Sequence, residues 1–160
     1  MDPARQVTDQ TLPELADWLP APIWLSGPDP ARTRFNRAWL DFTGRTLQQE
    51  LGHGWQQGVH PEDLTSLREG CAQAYANQAP FTLEYRLWHA SGSYRWVMDH
   101  GTPRFAAAGE LLGYVGYCTD ITDLRLTQDA LAVSEEEFRS LVTNIPVSYT
   151  HLTLPTIYSV

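Results

Sequence analysis

The sequence has few of the residues that build metal, disulfide or nucleic-acid sites. Its two cysteines, Cys71 and Cys118, are too few for a structural zinc site or an iron–sulfur cluster within one chain, and they form no disulfide framework. Lysine is absent, and eleven arginines against nineteen acidic residues give a net charge of −8. This balance argues against a nucleic-acid partner, because binding phosphates requires a basic face.

Long apolar runs are also missing. No segment approaches the roughly 20 apolar residues of a membrane-spanning helix. The polar N-terminus, MDPARQVTDQ, lacks the apolar centre of a signal peptide. We therefore expect a cytoplasmic chain, or a cytoplasmic part of a longer one, with no membrane contact in this segment. At 42% hydrophobic and 19% charged, its 160 residues suffice for one folded domain with some flanking sequence.

The first half of the chain predicts short strands and helices. Helical spacing of apolar residues in 11–20 predicts an N-terminal flanking helix. PIWLS (22–26) predicts a strand, and TRFNRAWLDFTG (33–44) predicts a strand followed by a helix that its final glycine ends. TLQQELG (46–52) predicts another short helix. The clearest helix is HPEDLTSLREGCAQAYANQ (60–78), with proline at its first turn and an apolar stripe along it.

The second half predicts three consecutive strands. FTLEYRLWH (81–89) and SYRWVMDHGTPRF (93–105) alternate in polarity, and LLGYVGYCTDI (111–121) follows after a second short turn. Strands joined by short turns form an antiparallel meander. Strands before and after a helical segment predict an α+β fold, in which one antiparallel sheet carries helices on one face.

A helix is predicted after the third strand. Positions at steps of three and four are mostly apolar, as in a weak coiled coil: Ile121, Leu124, Leu131, Phe138 and Val142, with Gln128 and Glu135 as polar exceptions. Ser134 followed by Glu137 has the pattern of a capping box, which predicts that a new helix begins there. A second structural unit is therefore expected to start near Ser134.

Several of these motifs, in order, resemble those of the PAS domain and its C-terminal PAC motif. They are FNRAWLDFTG, VHPEDL, the EYRL strand, the GSYRW hairpin and the closing DIT, and the resemblance covers about residues 18–124. It implies a five-stranded antiparallel sheet with helices on one face. The expected organisation is an N-terminal flanking helix (1–20), a PAS/PAC sensor domain (21–124) and a C-terminal linker helix.

The resemblance also implies a place in a signalling protein. ALAVSEEEFRSLVTNIP resembles a linker and the opening helix of a second PAS domain, so 125–146 is interpreted as a linker and a truncated second domain. Tandem arrays of this kind are typical of bacterial sensor histidine kinases. The runner-up parent is a cyclic-dinucleotide synthase or phosphodiesterase. The linker helices are expected to form a homodimer, and the adjacent PAS and output domains are the other expected partners.

The last residues fit nothing in such a fold. VSYTHLTLPTIYSV (147–160) gives no helical continuation, and its first ten residues resemble the translation of a transposase-adaptor end used in preparing DNA libraries. We therefore interpret 147–160 as a non-native tail on a gene fragment. Resequencing the locus tests this hypothesis.

The strand-to-helix junction is the first candidate site. Asp120 and Thr122 have side-chain oxygens that can accept the free backbone N–H groups at a helix start, and Ile121 between them can stay buried. By resemblance, Asp120, Ile121 and Thr122 form the family's junction between sensor and output helix. Their expected role is to transmit a signal and not to catalyse a reaction.

Aromatic residues provide a second candidate site. Those with polar tips could line a ligand cavity between the helices and the sheet: Trp24, Trp39, Tyr85, Trp96 and Tyr117. The simpler interpretation, which we favour, is that they fill a hydrophobic core. Arg86 and Arg95 are expected to form cross-strand ion pairs with Glu84 and Asp99.

Catalytic and cofactor chemistry is less well supported. A small enzyme using His60, Asp63 and Cys71 is the alternative from a different class, although His60 falls just before a helix whose start explains Asp63 as capping chemistry. For the same reason His53, His60 and Asp63 are not assigned to a metal. The family's flavin-binding motif around cysteine is absent, and 62–78 contains no histidine for haem, so neither cofactor is expected.

Overall fold

The computed structural model describes residues 14–143, which divide after Thr122 into two compact units. The first unit is built on a five-stranded antiparallel sheet in the order β2-β1-β5-β4-β3. Its strands are β1 (Ile23–Ser26), β2 (Arg32–Phe35), β3 (Phe81–His89), β4 (Ser93–Phe105) and β5 (Leu111–Asp120). The expected meander of the last three strands is confirmed, and each pairs antiparallel with its neighbour.

Helices connect β2 to β3. They are α1 (Arg37–Thr43), α2 (Leu47–Glu50), a 3-10 turn (Gly54–Gly58) and α3 (Pro61–Ala76). Residues 14–17 are also helical and belong to the predicted flanking helix, whose beginning lies outside the described residues. The predicted end of the helix at Gly44 is confirmed. Gly44 ends α1 in the left-handed conformation at φ 68° and donates its N–H to Leu40.

The core lies on one face of the sheet. Buried side chains from α1, the 3-10 turn and α3 pack against the inward residues of the strands in a single cluster, which includes Trp39, Trp55, Leu67, Tyr85, Leu87, Val97 and Tyr114. The α+β fold, with a five-stranded antiparallel sheet and helices on one face, is therefore confirmed. Its core is unusually aromatic, with three of the chain's six tryptophans less than 3% exposed.

A glycine makes room for one of these tryptophans. Trp24 on β1 pairs with Gly116 on β5, and a β-carbon at Gly116 would overlap the indole ring. The ring therefore lies flat across β5 and reaches the middle of the core. This position brings Trp24 to the polar groups described below.

The second unit begins within the helix α4 (Thr122–Thr143). The helix passes through Ser134 and Glu137 without interruption, so the prediction that a new helix begins there was wrong. Good helix formers on both sides, AlaLeuAla before and three glutamates after, favour a continuous helix over a cap. Residues 144–160, which include the interpreted tail, lie outside the described residues.

Candidate functional site

A buried ion pair lies at the centre of the core. Arg32 Nη2 on β2 donates to Asp99 Oδ2 on β4 at 2.9 Å, and the two side chains are 2% and 0% exposed. Such burial is expensive unless the charges are hydrogen-bonded. Trp24 Nε1 donates to Asp99 Oδ1 at 2.7 Å, and the Tyr85 hydroxyl donates to Asp99 Oδ2 at 2.9 Å. The carboxylate is thus held by three donors.

The guanidinium is enclosed by indole rings. Arg32 Cζ lies 3.7 Å from the ring centre of Trp24 and 3.6 Å from that of Trp55, with Trp39 further away at 5.4 Å. A guanidinium stacked between aromatic faces gains cation–π stabilisation that grows when water is excluded. Backbone hydrogen bonds in both directions between Arg32 and Gly52 fix this part of β2.

Burial and the ion pair shift the pKa values of the surrounding groups. Burial lowers the pKa of Arg32, but the Asp99 carboxylate outweighs it, so the pKa lies above the ordinary value and the arginine stays charged. Burial, with Asp99 nearby, holds the pKa of the Tyr85 hydroxyl and of the Cys118 thiol well above their ordinary values. Both therefore remain protonated at neutral pH. Arg32 and Asp99 thus balance each other's charge in the core.

The structure divides the five predicted pocket aromatics between two faces of the sheet. Trp24, Trp39 and Tyr85 lie together in the core. Trp96 and Tyr117 do not, because their neighbours Val97 and Cys118 are the residues that point inward. Tyr117 is 48% exposed and stacks on His100, while Trp96 lies beneath the Arg86 guanidinium. One pocket lined by all five residues is therefore ruled out.

Arg32 and Trp55 were not predicted as site residues, and Asp99 was predicted only in a surface pair. The signal for Asp99 was present in its strand, since it shares the face of Val97 in the alternating pattern and is a carboxylate at an inward position. Arg32 carried no comparable signal, because the strand RTRF is only four residues long and three of them are polar. Such a strand shows no reliable alternation.

The predicted surface pairs form with other partners. Arg86 binds Asp63 and Glu62 on α3, at 2.8 Å and 3.0 Å, and Arg95 pairs with Asp120. Asp99 forms its ion pair with Arg32 in the core. Pairing of Asp99 with Arg86 or Arg95 was therefore wrong, because the Asp99 side chain is buried in the core and pairs there with Arg32.

The three residues of the enzyme alternative do not form a site. His60 lies just before α3, as predicted, and its side chain caps the helix by accepting the Glu62 N–H at 3.1 Å. The side-chain hydrogen bond from Arg86 holds the pKa of Asp63 below its ordinary value. Cys71 lies eight residues beyond Asp63, about 12 Å along the helix axis. Its thiol is buried, and burial raises its pKa to about 11, so it is a poor nucleophile.

The junction residues form a compact hydrogen-bonded unit. Asp120 Oδ1 accepts from the backbone N–H of Thr122 at 3.0 Å and from its hydroxyl at 2.7 Å. The Thr122 oxygen accepts the backbone N–H of Trp96 on β4 at 2.9 Å. Ile121, 6% exposed, donates its N–H to the Trp96 carbonyl at 2.8 Å. Asp120 thus caps the helix start as predicted, whereas the Thr122 side-chain oxygen accepts a hydrogen bond from strand β4.

The charge of Asp120 is stabilised by its neighbours. Partial burial raises its pKa, but the two hydrogen bonds from Thr122 and the ion pair with Arg95 outweigh this effect. The pKa of Asp120 therefore lies below its ordinary value. A groove of about 930 Å³ reaches this residue, with Leu87, Val97 and Cys118 in its lining and Phe42 from α1 at its side.

Within residues 14–143, no group of three or more His, Cys, Asp or Glu side chains is arranged to hold a metal ion. No helix in the same range is both long and apolar enough to cross a membrane.

Known proteins are similar to this chain in sequence. Protein y4lL of Sinorhizobium fredii, which is uncharacterised, is 37% identical over 127 residues, 79% of this chain but 15% of that protein. The peroxide stress-activated histidine kinase mak1 of Schizosaccharomyces pombe is 25% identical over 139 residues, 82% of this chain and 8% of that protein. The chain thus spans only a small part of these relatives.

A solved structure is similar over nearly its whole length. The sensory box histidine kinase/response regulator structure from Burkholderia thailandensis is 26% identical and has a TM-score of 0.59, covering 82% of this chain and 98% of that one. The family model described as PAS fold matches residues 32–118, which include both halves of the core ion pair. The chain belongs to the PAS-fold family of sensory domains.

Proposed function

We propose that this domain relays an input from its core through Asp120, Ile121 and Thr122 to the helix α4, as the N-terminal part of a sensor histidine kinase that works in the cytoplasm. The observation that carries the relay is the hydrogen bond from Trp96 of β4 to Thr122. Through it, a displacement of β4 acts directly on the first residue of the output helix. A signal needs such an element with two arrangements.

The exposed face of α4 supports a dimer. Leu124, Leu131 and Phe138 recur every seven residues and are 54%, 58% and 69% exposed. A seven-residue apolar repeat is the pattern of two helices that pack along a seam. The occupant proposed for this face is the same helix of a second copy. In that arrangement, a shift at Thr122 changes how two helices pack.

The kinase output is supported by similarity. Mak1 is named a histidine kinase, and the Burkholderia structure is named a sensory box histidine kinase/response regulator. The output is tested by sequencing the gene beyond the codon for Thr143 and assaying the purified product with ATP. Autophosphorylation on histidine supports the proposal. Conversion of GTP to a cyclic dinucleotide would instead assign the runner-up output and overturn the kinase.

The relay is tested in the same full-length protein by Asp120→Ala. This change removes the acceptor of the Thr122 hydroxyl and the partner of Arg95, and we expect the output to stop responding to its stimulus while the domain stays folded. Glu69→Ala, at an exposed carboxylate on α3, is the matched control and should respond normally. A normal response from Asp120→Ala would eliminate the junction as the relay.

A further inference from the structure

The side chain of Asn36, the N-cap of α1, makes four hydrogen bonds. Its oxygen accepts from the backbone N–H groups of Ile23 at 2.8 Å and Trp39 at 3.1 Å. Its nitrogen donates to the carbonyls of Ala16 at 2.8 Å and Ala21 at 2.9 Å. The amide is 3% exposed, and both ends of it are fully paired.

The two donated bonds are not needed for capping. A helix N-cap requires an oxygen that accepts from the first turn, and serine or aspartate supplies one as well as asparagine does. The amide nitrogen distinguishes Asn36 from these residues, and it donates to Ala16 and Ala21. We call residues 14–21 the strap, because they lead into β1 and are bound to the sensor unit at these two carbonyls.

Apolar burial contributes little to holding the strap. Within residues 14–20, Ala16 is half-buried and the others are exposed. The large apolar side chains of the strap are each at least half exposed: Leu15, Trp18 and Leu19. Besides the bonds of Asn36, the strap is joined to α1 where Asp17 Oδ1 accepts the Arg37 N–H at 2.8 Å. A segment held by a few hydrogen bonds and little buried area can open without global unfolding.

The strap also borders the groove that reaches Asp120. Residues 17–22 are part of the lining of this groove of about 930 Å³, together with Val97 on β4 and Cys118 and Asp120 on β5. When the strap leaves, the groove loses this border. The surface beside the junction between β5 and α4 therefore differs between the attached and the released strap.

We propose that the strap is a detachable part of the sensor unit, held by the Asn36 amide, and that its release opens the groove beside Asp120 while β1 and α1 stay folded. The two bonds that Asn36 accepts keep α1 capped and joined to β1 in both arrangements. Attachment and release depend on the contacts of the strap alone. An effect on the output would also rest on the relay proposed above.

The test is Asn36→Asp in the ¹⁵N-labelled 160-residue chain, followed by amide hydrogen exchange near neutral pH. Aspartate keeps the oxygen that accepts from Ile23 and Trp39, but it places a carboxylate oxygen against the two strap carbonyls. The Arg37 N–H, which then loses Asp17, should exchange about 10-fold faster or more, because two hydrogen bonds are lost. The Trp39 N–H should keep its protection. Unchanged exchange at Arg37 overturns the proposal, and so does equal acceleration at Trp39, because α1 itself would then have opened.

Asn77→Asp is the matched control, since it makes the same chemical change at an exposed residue after α3. Exchange at Arg37 should be the same as in the unmodified chain. Acceleration equal to that in Asn36→Asp would assign the effect to added charge and overturn the role of the Asn36 amide. Asp120→Ala should also leave exchange at Arg37 unchanged, so failure of the relay and failure of the strap are distinguishable.

A measurement on the unmodified chain decides the matter if Asn36→Asp does not fold. Opening of the strap exposes little surface, so exchange of the Arg37 N–H should be nearly independent of low urea concentrations. Exchange of the protected amides of β4 and β5 should accelerate with urea, because it requires larger openings. A urea dependence at Arg37 equal to that of these strands would show that the strap opens only with the core, and would overturn the proposal.

Discussion

Thr122 Oγ1 accepts the backbone N–H of Trp96 at 2.9 Å, so the first residue of α4 is hydrogen-bonded to β4, the strand beside the central strand β5. Together with the bond from the Ile121 N–H to the Trp96 carbonyl, it extends the pairing beyond the last residue of β5. The side chain of Thr122 replaces the backbone acceptor that a continuing strand would supply. The helix therefore starts without leaving a donor of β4 unpaired.

This bond predicts different effects for two substitutions of Thr122. Thr122→Val keeps the shape but leaves the Trp96 N–H without its acceptor, and it should reduce the free energy of unfolding by about 1–3 kcal/mol. Thr122→Ser keeps the hydroxyl and should change it by less than about 0.5 kcal/mol. Urea denaturation followed by tryptophan fluorescence measures both. Equal stabilities for the two variants would contradict the role given to the hydroxyl.

The exposed stripe of α4 predicts a dimer that depends on one helix face. Leu131→Asp places a charge in the proposed seam and should shift the 160-residue chain to a monomer in sedimentation equilibrium. Val133→Asp is the control, because residue 133 lies roughly 200° around the helix from residue 131 and is similarly exposed. It should leave the dimer intact. A dimer unaffected by Leu131→Asp would show that association uses another surface.

The core ion pair predicts strong coupling between two distant strands. Arg32→Met leaves the Asp99 carboxylate buried without its counter-charge and should cost about 3–5 kcal/mol of unfolding free energy. Asp99→Asn should also be strongly destabilising, since Arg32 is then uncompensated. The double variant should cost much less than the sum of the two single changes. Additive losses in this double-mutant cycle would mean that the two charges do not stabilise each other.

The ion pair of Asp63 with Arg86 predicts a dependence of stability on pH. The hydrogen bond from Arg86 lowers the folded-state pKa of Asp63 below 3.8. Its stabilising effect is therefore complete above about pH 5 and is lost as the pH falls through 3.8 towards the folded-state value. Asp63→Asn should lower the urea midpoint at pH 6 and by progressively less towards pH 2.5. Asp41→Asn, at an exposed carboxylate on α1, is the control and should show no such convergence.

Local signals were sufficient to predict the fold. The meander followed from alternation and short turns, and the helix ends followed from residues with a specific backbone role, such as Gly44 and Pro61. These features depend on a few neighbouring residues, so the sequence contains them directly. The capping motif at Ser134 failed for the opposite reason, because propensity over a longer segment outweighed it.

The inward face of β4 and β5 could not be predicted with the same reliability. Both faces of β4 carry large apolar residues, and aromatic content favoured the face of Trp96 over that of Val97. The actual core face contains Asp99, a carboxylate that is unsuited to a core without the counter-charge of Arg32 from another strand. That partner is 67 residues away in the sequence. The site therefore depended on a pairing that alternation within one strand does not reveal.

Both thiols of the chain are buried in the core of the sensor unit and remain protonated at neutral pH, because burial raises the pKa of Cys71 to about 11 and holds that of Cys118 well above its ordinary value. Reagents that attack thiolates will consequently modify Cys71 and Cys118 only in molecules whose core has opened. The rate of modification therefore measures how often the core opens, and no labelling site has to be introduced into the chain. A ligand that closes the core should slow this reaction in proportion to its occupancy.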